Sequence, residues 1–335
     1  MTYRVRRPEE EALMEDPAGA LTHKDLLALD VAHLYHEAGL TQAEVAERVH
    51  LSRPTVSKLL THALQRGFVR IEVWDPREHD GNVIATLTER FDLTEVRLVT
   101  APPHLPGYAR TALGAQGADL LSTIVRDGDV IAVQGSPLLA DVVRCLNPTP
   151  LRSARVVQMA RSLTDCLSGR EETTSAPLLA NALSARSLPL PGPLVADSVP
   201  EANRLRLTGP MREPLAALGG ARIALFTATP ASRLLPLLDR LLLTEEESET
   251  LREHAVGEIC GRIVDADGCV CLPDLNNRTL GVSLTELRHI EQKVLLTCGR
   301  DSASVVRAAL SNGYVDRLIV DVATAREVLA LDRAA

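Results

Sequence analysis

The sequence predicts an α/β protein: an N-terminal winged helix-turn-helix followed by a C-terminal, mostly parallel-sheet α/β domain. Three observations predict it. Residues 24–75 carry helical spacing, a capping box and a following alternation of apolar and charged residues, which set three helices and a strand in order. From Asn82 onward, helix-like and strand-like segments alternate, the pattern of a parallel sheet covered on both faces. The chain has 335 residues, enough for a small domain beside a larger one with its own core.

The elements follow in order. Residues 1–22 are polar, with Glu9-Glu10-Glu11 and two prolines, and read as a mobile arm. A first helix runs from Lys24 to Ala38, with Leu27, Val31, Leu34 and Tyr35 at helical spacing and Gly39 as its stop. Thr41-Gln42-Ala43-Glu44 is a capping box that opens a second helix. After the turn His50-Leu51, Ser52 caps a third helix from Arg53 to Arg66, which Gly67 ends. Val69, Ile71 and Val73 alternate with Arg70, Glu72 and Trp74 and predict the strand of a wing. The winged helix-turn-helix thus spans 23–75, a linker 76–85 and the second domain 86–335. Strands are expected at Val96–Thr100, Val130–Val133, Ala154–Met159, Arg222–Phe226, Val294–Thr297 and Arg317–Val320. Helices are expected at Ala109–Val125, Leu138–Cys145, Glu171–Ala185, Pro230–Leu243 and Ser302–Asn312, with a proline-rich rim loop over Leu188–Pro200.

Composition narrows the function. Charged residues interrupt every apolar run, so no transmembrane helix is expected. The first residues lack the apolar segment of a signal peptide, which predicts a cytoplasmic protein without a membrane partner. Six cysteines at 145, 166, 260, 269, 271 and 298 are expected as reduced, buried thiols, and Cys269-Val270-Cys271 lacks the second pair or nearby His of a zinc set. No metal site and no cofactor are expected.

The net charge of −8 is unevenly distributed. Between Val45 and Arg70, five basic residues face Glu47 alone, a local charge of +4. In the third helix Val56, Leu59, Leu60 and Ala63 are expected inward, and Arg53, Thr55, Ser57, Lys58 and His62 outward. Arg53 is suited to bidentate contact with guanine. Thr55 and Ser57 suit a base or a phosphate. Lys58 and Gln42 suit the phosphate backbone, and Ser52 stands at the cap of the reading helix. The bland alternative is a helical bundle with a solvated basic face. Capping box, spacing, charge and the following strand agree on double-stranded DNA as the partner.

At these residues the chain resembles the SorC/DeoR family of sugar-binding bacterial transcriptional regulators. Leu40–Ala46 and Ser52–Leu60 match its DNA-binding motif. Downstream, the resemblance continues through Leu87–Leu93, Asp127–Ile131, Ala255–Arg262 with Asp265–Gly268, Asn277-Arg278 with Gly281–Leu284, and Arg307–Leu310 with Gly313–Asp316. It implies a second domain with the fold shared by ribose-5-phosphate isomerase and glucosamine-6-phosphate deaminase, binding a phosphorylated sugar and tuning a dimer or tetramer on an operator.

The expected effector site departs from the family pattern. Gln134-Gly135-Ser136-Pro137-Leu138 stands where the family usually has a Ser-Trp-Gly-x-Thr loop, and Pro137 removes an amide donor. Ala160-Arg161-Ser162 replaces an Asn-Gly-Gly turn, Thr227-Ala228-Thr229-Pro230 replaces a glycine-rich one, and Ser302 stands where the family has Lys. Gln134, Gly135, Ser136, Arg161 and Glu258 are the expected effector-binding residues. Arg161 as a surface ion pair and Glu258 as a structural carboxylate are the alternatives. The domain then senses a small metabolite, phosphorylated or not, or binds no ligand and serves as an oligomerisation scaffold. An isomerase-like enzyme is the third reading. Without a phosphate clamp, P-loop or nucleophile elbow, no catalytic residue is expected.

Overall fold

The computed structural model describes residues 22–69, 76–100, 108–167, 175–241 and 243–334. It divides into two compact units, residues 1–76 and 77–335. Each is described by itself.

The first unit holds α1 (His23–Ala32), α2 (Gln42–Arg48) and α3 (Arg53–Gln65). Thr22 and Asp25 form a capping box on α1, so Thr22 is the cap of this helix and not the last residue of an arm. The expected single helix to Ala38 instead passes into a π-helical turn over His33–Glu37 before Gly39 (φ 69°) reverses the chain. Thr41 and Glu44 make the second capping box as expected. Ala28, Val31, Val45, Val56, Leu59, Leu60 and Ala63 form this unit's core. The expected wing strand lies outside the described residues beyond Val69, as does the expected arm up to residue 21.

The second unit opens with α4 (Pro76–Phe91), β1 (Glu95–Val99), α5 (Tyr108–Ile124), β2 (Val130–Gly135) and α6 (Pro137–Cys145). The expected linker over 76–85 is therefore corrected to the first half of a helix. Pro76 is compatible with a first helical turn. Val83, Ile84, Leu87 and Phe91 supply the apolar stripe that packs on the sheet. There follow β3 (Arg155–Arg161), α7 (Leu163–Leu167), α8 (Ser175–Ala182), β4 (Arg186–Leu188), α9 (Val199–Arg206), α10 (Gly209–Leu218) and β5 (Ile223–Pro230). The stretch between β4 and α9 is the expected rim loop, pinned by one bridge between Val195 and Thr279. The helix expected over Pro230–Leu243 is the short α11 (Ala231–Leu234) and a 3₁₀ segment, Leu235–Arg240. Pro236 removes an amide that an α-helix would use there. Then come α12 (Glu245–His254), the hairpin β6 (Gly257–Ile259) and β7 (Arg262–Val264), α13 (Pro273–Arg278), α14 (Leu284–His289), β8 (Gln292–Thr297), α15 (Ala303–Ser311), β9 (Arg317–Asp321) and α16 (Val322–Ala334). No described helix is long and apolar enough to cross a membrane.

Seven strands run parallel in the order β1-β9-β8-β5-β2-β3-β4, and the β6–β7 hairpin pairs antiparallel with the extended end of β5. Strand residues alternate between two cores. Val130, Ala132, Ala224, Phe226, Leu295 and Leu318 face α4, α10, α14, α15 and α16. Ile131, Val133, Ile223, Leu225, Leu296 and Ile319 face α5, α6 and α8. Gly257 is required where the hairpin crosses, since a Cβ there would lie 2.3 Å from the Thr229 carbonyl oxygen.

From β2 the chain moves outward through β3 and β4 on one side. From β5 it moves through β8 and β9 on the other. The switch point therefore lies between β2 and β5. Their N-terminal ends are locked by Arg222, which donates to both oxygens of Asp129 (2.6 and 2.5 Å) and to the Ile124 carbonyl (2.6 Å). Asp129 is nearly buried, and its Oδ2 also accepts from the Arg126 amide. Arg222→Leu leaves that carboxylate without its cation. It is expected to lower the stability of the second unit by about 3 kcal/mol, read by urea unfolding.

Candidate DNA-reading helix and effector crevice

The helix-turn-helix geometry is set by caps. The Thr41 amide donates to Glu44 Oε2 (2.7 Å), which with the Thr41 hydroxyl holds the Glu44 carboxyl below the usual range. The connecting turn passes through His50 in the left-handed region (φ 53°). Ser52 Oγ then accepts from the Thr55 amide and shares a 2.7 Å hydrogen bond with Thr55 Oγ1. The two hydroxyls expected to meet DNA are therefore first a cap pair that starts α3. Arg53, Ser57 and Lys58 are exposed on α3, and Thr55 and Gln42 are half-buried. Val56, Leu59, Leu60 and Ala63 face inward as expected.

His62 does not point freely outward, which corrects the expectation for that residue. Its Nε2 lies 2.7 Å from Asp25 Oδ1 on α1. Arg66 Nε donates to the same oxygen at 3.2 Å. Asp25 Oδ2 accepts from the Thr22 hydroxyl (2.6 Å) and amide (2.9 Å). These bonds, Thr22 first and then His62, hold the Asp25 carboxyl well below the usual carboxylate range. The carboxylate is buried, and nothing in a polar residue on the first helix signalled in sequence that α3 would reach it.

In the second unit, the residues expected at the effector site gather at the C-terminal ends of the strands. The β2–β5 backbone register ends at Val133 and Leu225. Beyond it, Gln134 takes over with its side chain: Oε1 accepts from the Thr227 amide (2.9 Å) and hydroxyl (3.3 Å). Gln134 is fully buried, and its Nε2 has no hydrogen-bond partner among the described residues. Gly135 pairs with Arg161 across β2 and β3, which places Arg161 at the same strand ends.

The start of α6 is closed by internal bonds. The Ser136 amide donates to Ser175 Oγ (3.3 Å), whose hydroxyl donates back to the Ser136 carbonyl (3.1 Å). Pro137 has no amide hydrogen, and the Leu138 amide donates to Ser136 Oγ (3.2 Å). A phosphate cradle needs free amides at these positions. Ser175 had no signal in sequence, because its role comes from α8 packing beside α6.

Glu258 lies on β6 opposite Thr229 and is buried. Its Oε1 accepts from the Leu163 and Gly261 amides (2.8 and 3.1 Å), and its Oε2 from the Thr164 amide (3.3 Å). The carboxylate thus fixes the turn after Arg161 and the hairpin turn Cys260-Gly261. Cys298, at the end of β8, is half-buried, and burial raises its thiol pKa, reinforced by Asp321. The expectation of six buried thiols is corrected: Cys260 alone of the six is buried, Cys166, Cys271 and Cys298 are half-buried, and Cys145 and Cys269 are exposed. Among the described residues no group of three or more His, Cys, Asp or Glu side chains is placed to hold a metal ion.

Residues 76–330 match the family model of a sugar-binding domain, and residues 31–75 match that of the MarR family. The chain is 33% identical over 310 residues to the deoxyribonucleoside regulator of Bacillus subtilis, covering 91% of this chain and 98% of that protein. It is 27% identical over 317 residues to the transcriptional regulator LsrR of Enterobacter sp., covering 93% and 95%. The full-length sorbitol operon regulator SorC of Klebsiella pneumoniae has the same fold, with a TM-score of 0.68 at 23% identity over 91% of this chain and 98% of that one.

Glu258→Ala removes the acceptor of three buried or half-buried amides. It is expected to lower the stability of the second unit by about 3 kcal/mol in urea unfolding, with Glu258→Gln losing much less.

Proposed function

The chain belongs to the family of transcriptional regulators with a sugar-binding domain, and on that premise we propose which of its residues read DNA and where its effector sits. It is a DNA-binding transcriptional regulator whose second unit senses a small metabolite. In our reading α3 enters the major groove. Arg53 contacts a base edge, Ser52, Thr55 and Ser57 contact bases or phosphates near the helix start, and Lys58 and Gln42 hold the backbone. The exposure of Arg53, Ser57 and Lys58 on one segment of α3 supports this. The protein acts in the cytoplasm, as a dimer or tetramer, because paired recognition helices need half-sites at a fixed helical spacing.

The effector sits in the crevice at the C-terminal ends of β2 and β5. The observation that carries this is the buried Gln134, whose Nε2 has no partner among the described residues at the switch point of the sheet. Ser136, Gly135 and Arg161 border the same opening, and Glu258 shapes it by holding the turn after Arg161. A sugar-class ligand read through hydroxyl and carbonyl oxygens matches a neutral amide donor better than a phosphate does. The committed amides of Ser136 and Leu138 support this choice. The name of the Bacillus subtilis relative makes deoxyribonucleosides and their sugar the first compounds to try. The reading is non-enzymatic. Glu258 is committed to backbone amides and the Cys298 thiol is held protonated, so neither is poised as a base or nucleophile.

Arg53→Ala is expected to weaken specific operator binding by about 1–3 kcal/mol, the size of one bidentate base contact, in an equilibrium binding assay on a selected duplex. Unchanged affinity and base preference would remove Arg53 from the reading set. In a thermal-shift screen, simple sugar phosphates are expected to give little or no shift, whereas unphosphorylated sugars or nucleosides raise the melting point of the wild type and not of Gln134→Leu. A clear shift with fructose or deoxyribose phosphates contradicts this reading.

A further inference from the structure

The first unit contains a buried carboxylate that joins two helices. α1 and α3 meet through small apolar side chains, among them Ala28 and Ala63. Such contacts resist separation, but dispersion and burial are non-directional and resist sliding or rotation weakly. Asp25 adds direction. Its side chain is 3% exposed, and its two oxygens have separate duties. Oδ2 accepts from the amide and hydroxyl of Thr22 and so caps α1. Oδ1 faces α3, where it receives His62 Nε2 and Arg66 Nε. His62 is only 20% exposed, whereas Arg66 is 49% exposed with its guanidinium 5.5 Å over the Phe68 ring, so His62 is the more firmly seated of the two. His62 lies between two and three turns beyond Arg53, roughly 13 Å along the helix axis. A rotation of α3 at that point is carried to the base-reading end.

We infer that Asp25 is a positioning residue for DNA reading, fixing the rotation of the recognition helix through its bonds to His62 and Arg66. The inference rests on α3 being the helix that reads bases. The carboxylate touches no base itself. It holds α3 in one orientation on α1, so that Arg53 meets its base edge with bidentate geometry. Two charge-assisted bonds converging on one oxygen of a buried carboxylate define an orientation, where apolar packing alone leaves several.

The test uses the full chain and an operator selected from randomised duplex, with a scrambled duplex of equal length as control. Binding is followed by fluorescence anisotropy over a range of salt concentrations. His62→Leu removes the shorter of the two bonds to α3, leaving Arg66 and the α1 cap in place. It is expected to weaken operator binding about tenfold. Binding to the scrambled duplex should change less than about twofold, and the dependence of log K on log salt should keep its slope. His62→Gln keeps a side-chain donor within reach of Asp25 and is expected to restore most of the lost affinity. Asp25→Asn approaches the pair from the α1 side and should give the same selective loss if His62→Leu proves too unstable to assay. Wild-type operator affinity in both Asp25→Asn and His62→Leu overturns the inference. So does an equal loss on both duplexes, or a salt slope reduced by about one, which would make His62 a phosphate contact. Arg53→Ala in the same assay separates the two failures: if it too leaves operator binding unchanged, the assignment of α3 as reading helix has failed.

Discussion

The junction of β2 and β5 is the constraint on which the second unit depends. The chain leaves this junction in opposite directions, which makes it the switch point of the sheet. At the N-terminal ends Arg222 and Asp129 close the junction with a bidentate pair in a nearly buried setting. At the C-terminal ends the backbone ladder stops, and one side chain, Gln134, continues it to Thr227. The same pair of strands is thus closed by an ion pair at one end and joined through one side chain at the other. The β6–β7 hairpin and the turn after β3 meet at that end, with Glu258 tying them together. Everything assigned to ligand sensing sits within this arrangement.

The DNA-binding unit solves a different problem with the same means. Its core is made of small and branched aliphatics from three short helices, and each helix start is held by a side-chain cap. Short helices contribute little stability by themselves. Caps and the Asp25 bonds therefore fix orientation where buried area is limited. The first unit uses polar residues to place α3, and the second uses them to tie together the ends of β2, β3 and β5.

Much of this was legible in the sequence, for identifiable reasons. The capping box at Thr41–Glu44, the Ser52 cap and the apolar stripe of α3 are local signals, and local signals survive without knowledge of the fold. The central strands are continuous apolar runs buried on both faces, and six of the parallel strands were located within a few residues. What escaped depended on partners distant in sequence. The start of α4 reads as a linker because its first turns are polar, and its apolar stripe begins only at Val83. The apolar run after β5 reads as one long helix, but Pro236 ends the α-helical turn and leaves a 3₁₀ segment. Resemblance and strand ends single out Gln134, Gly135, Ser136, Arg161 and Glu258 as candidates, and the fold brings them to the C-terminal ends of β2, β3 and β5. Their actual bonds, to Ser175, Thr227 and Leu163, could not be read from spacing. Helical period alone places His62 outward, and only the fold brings Asp25 beneath it.

The claim that the crevice between β2 and β5 is the sensing site is tested most directly by hydrogen exchange on the full chain, with and without the compound that changes operator affinity. The account predicts slowed exchange in residues 133–138, 160–165 and 226–231, at the C-terminal ends of β2, β3 and β5, and none at 126–130, where the Arg222–Asp129 pair closes the junction. Protection confined to other segments, with the strand ends unchanged, would contradict it.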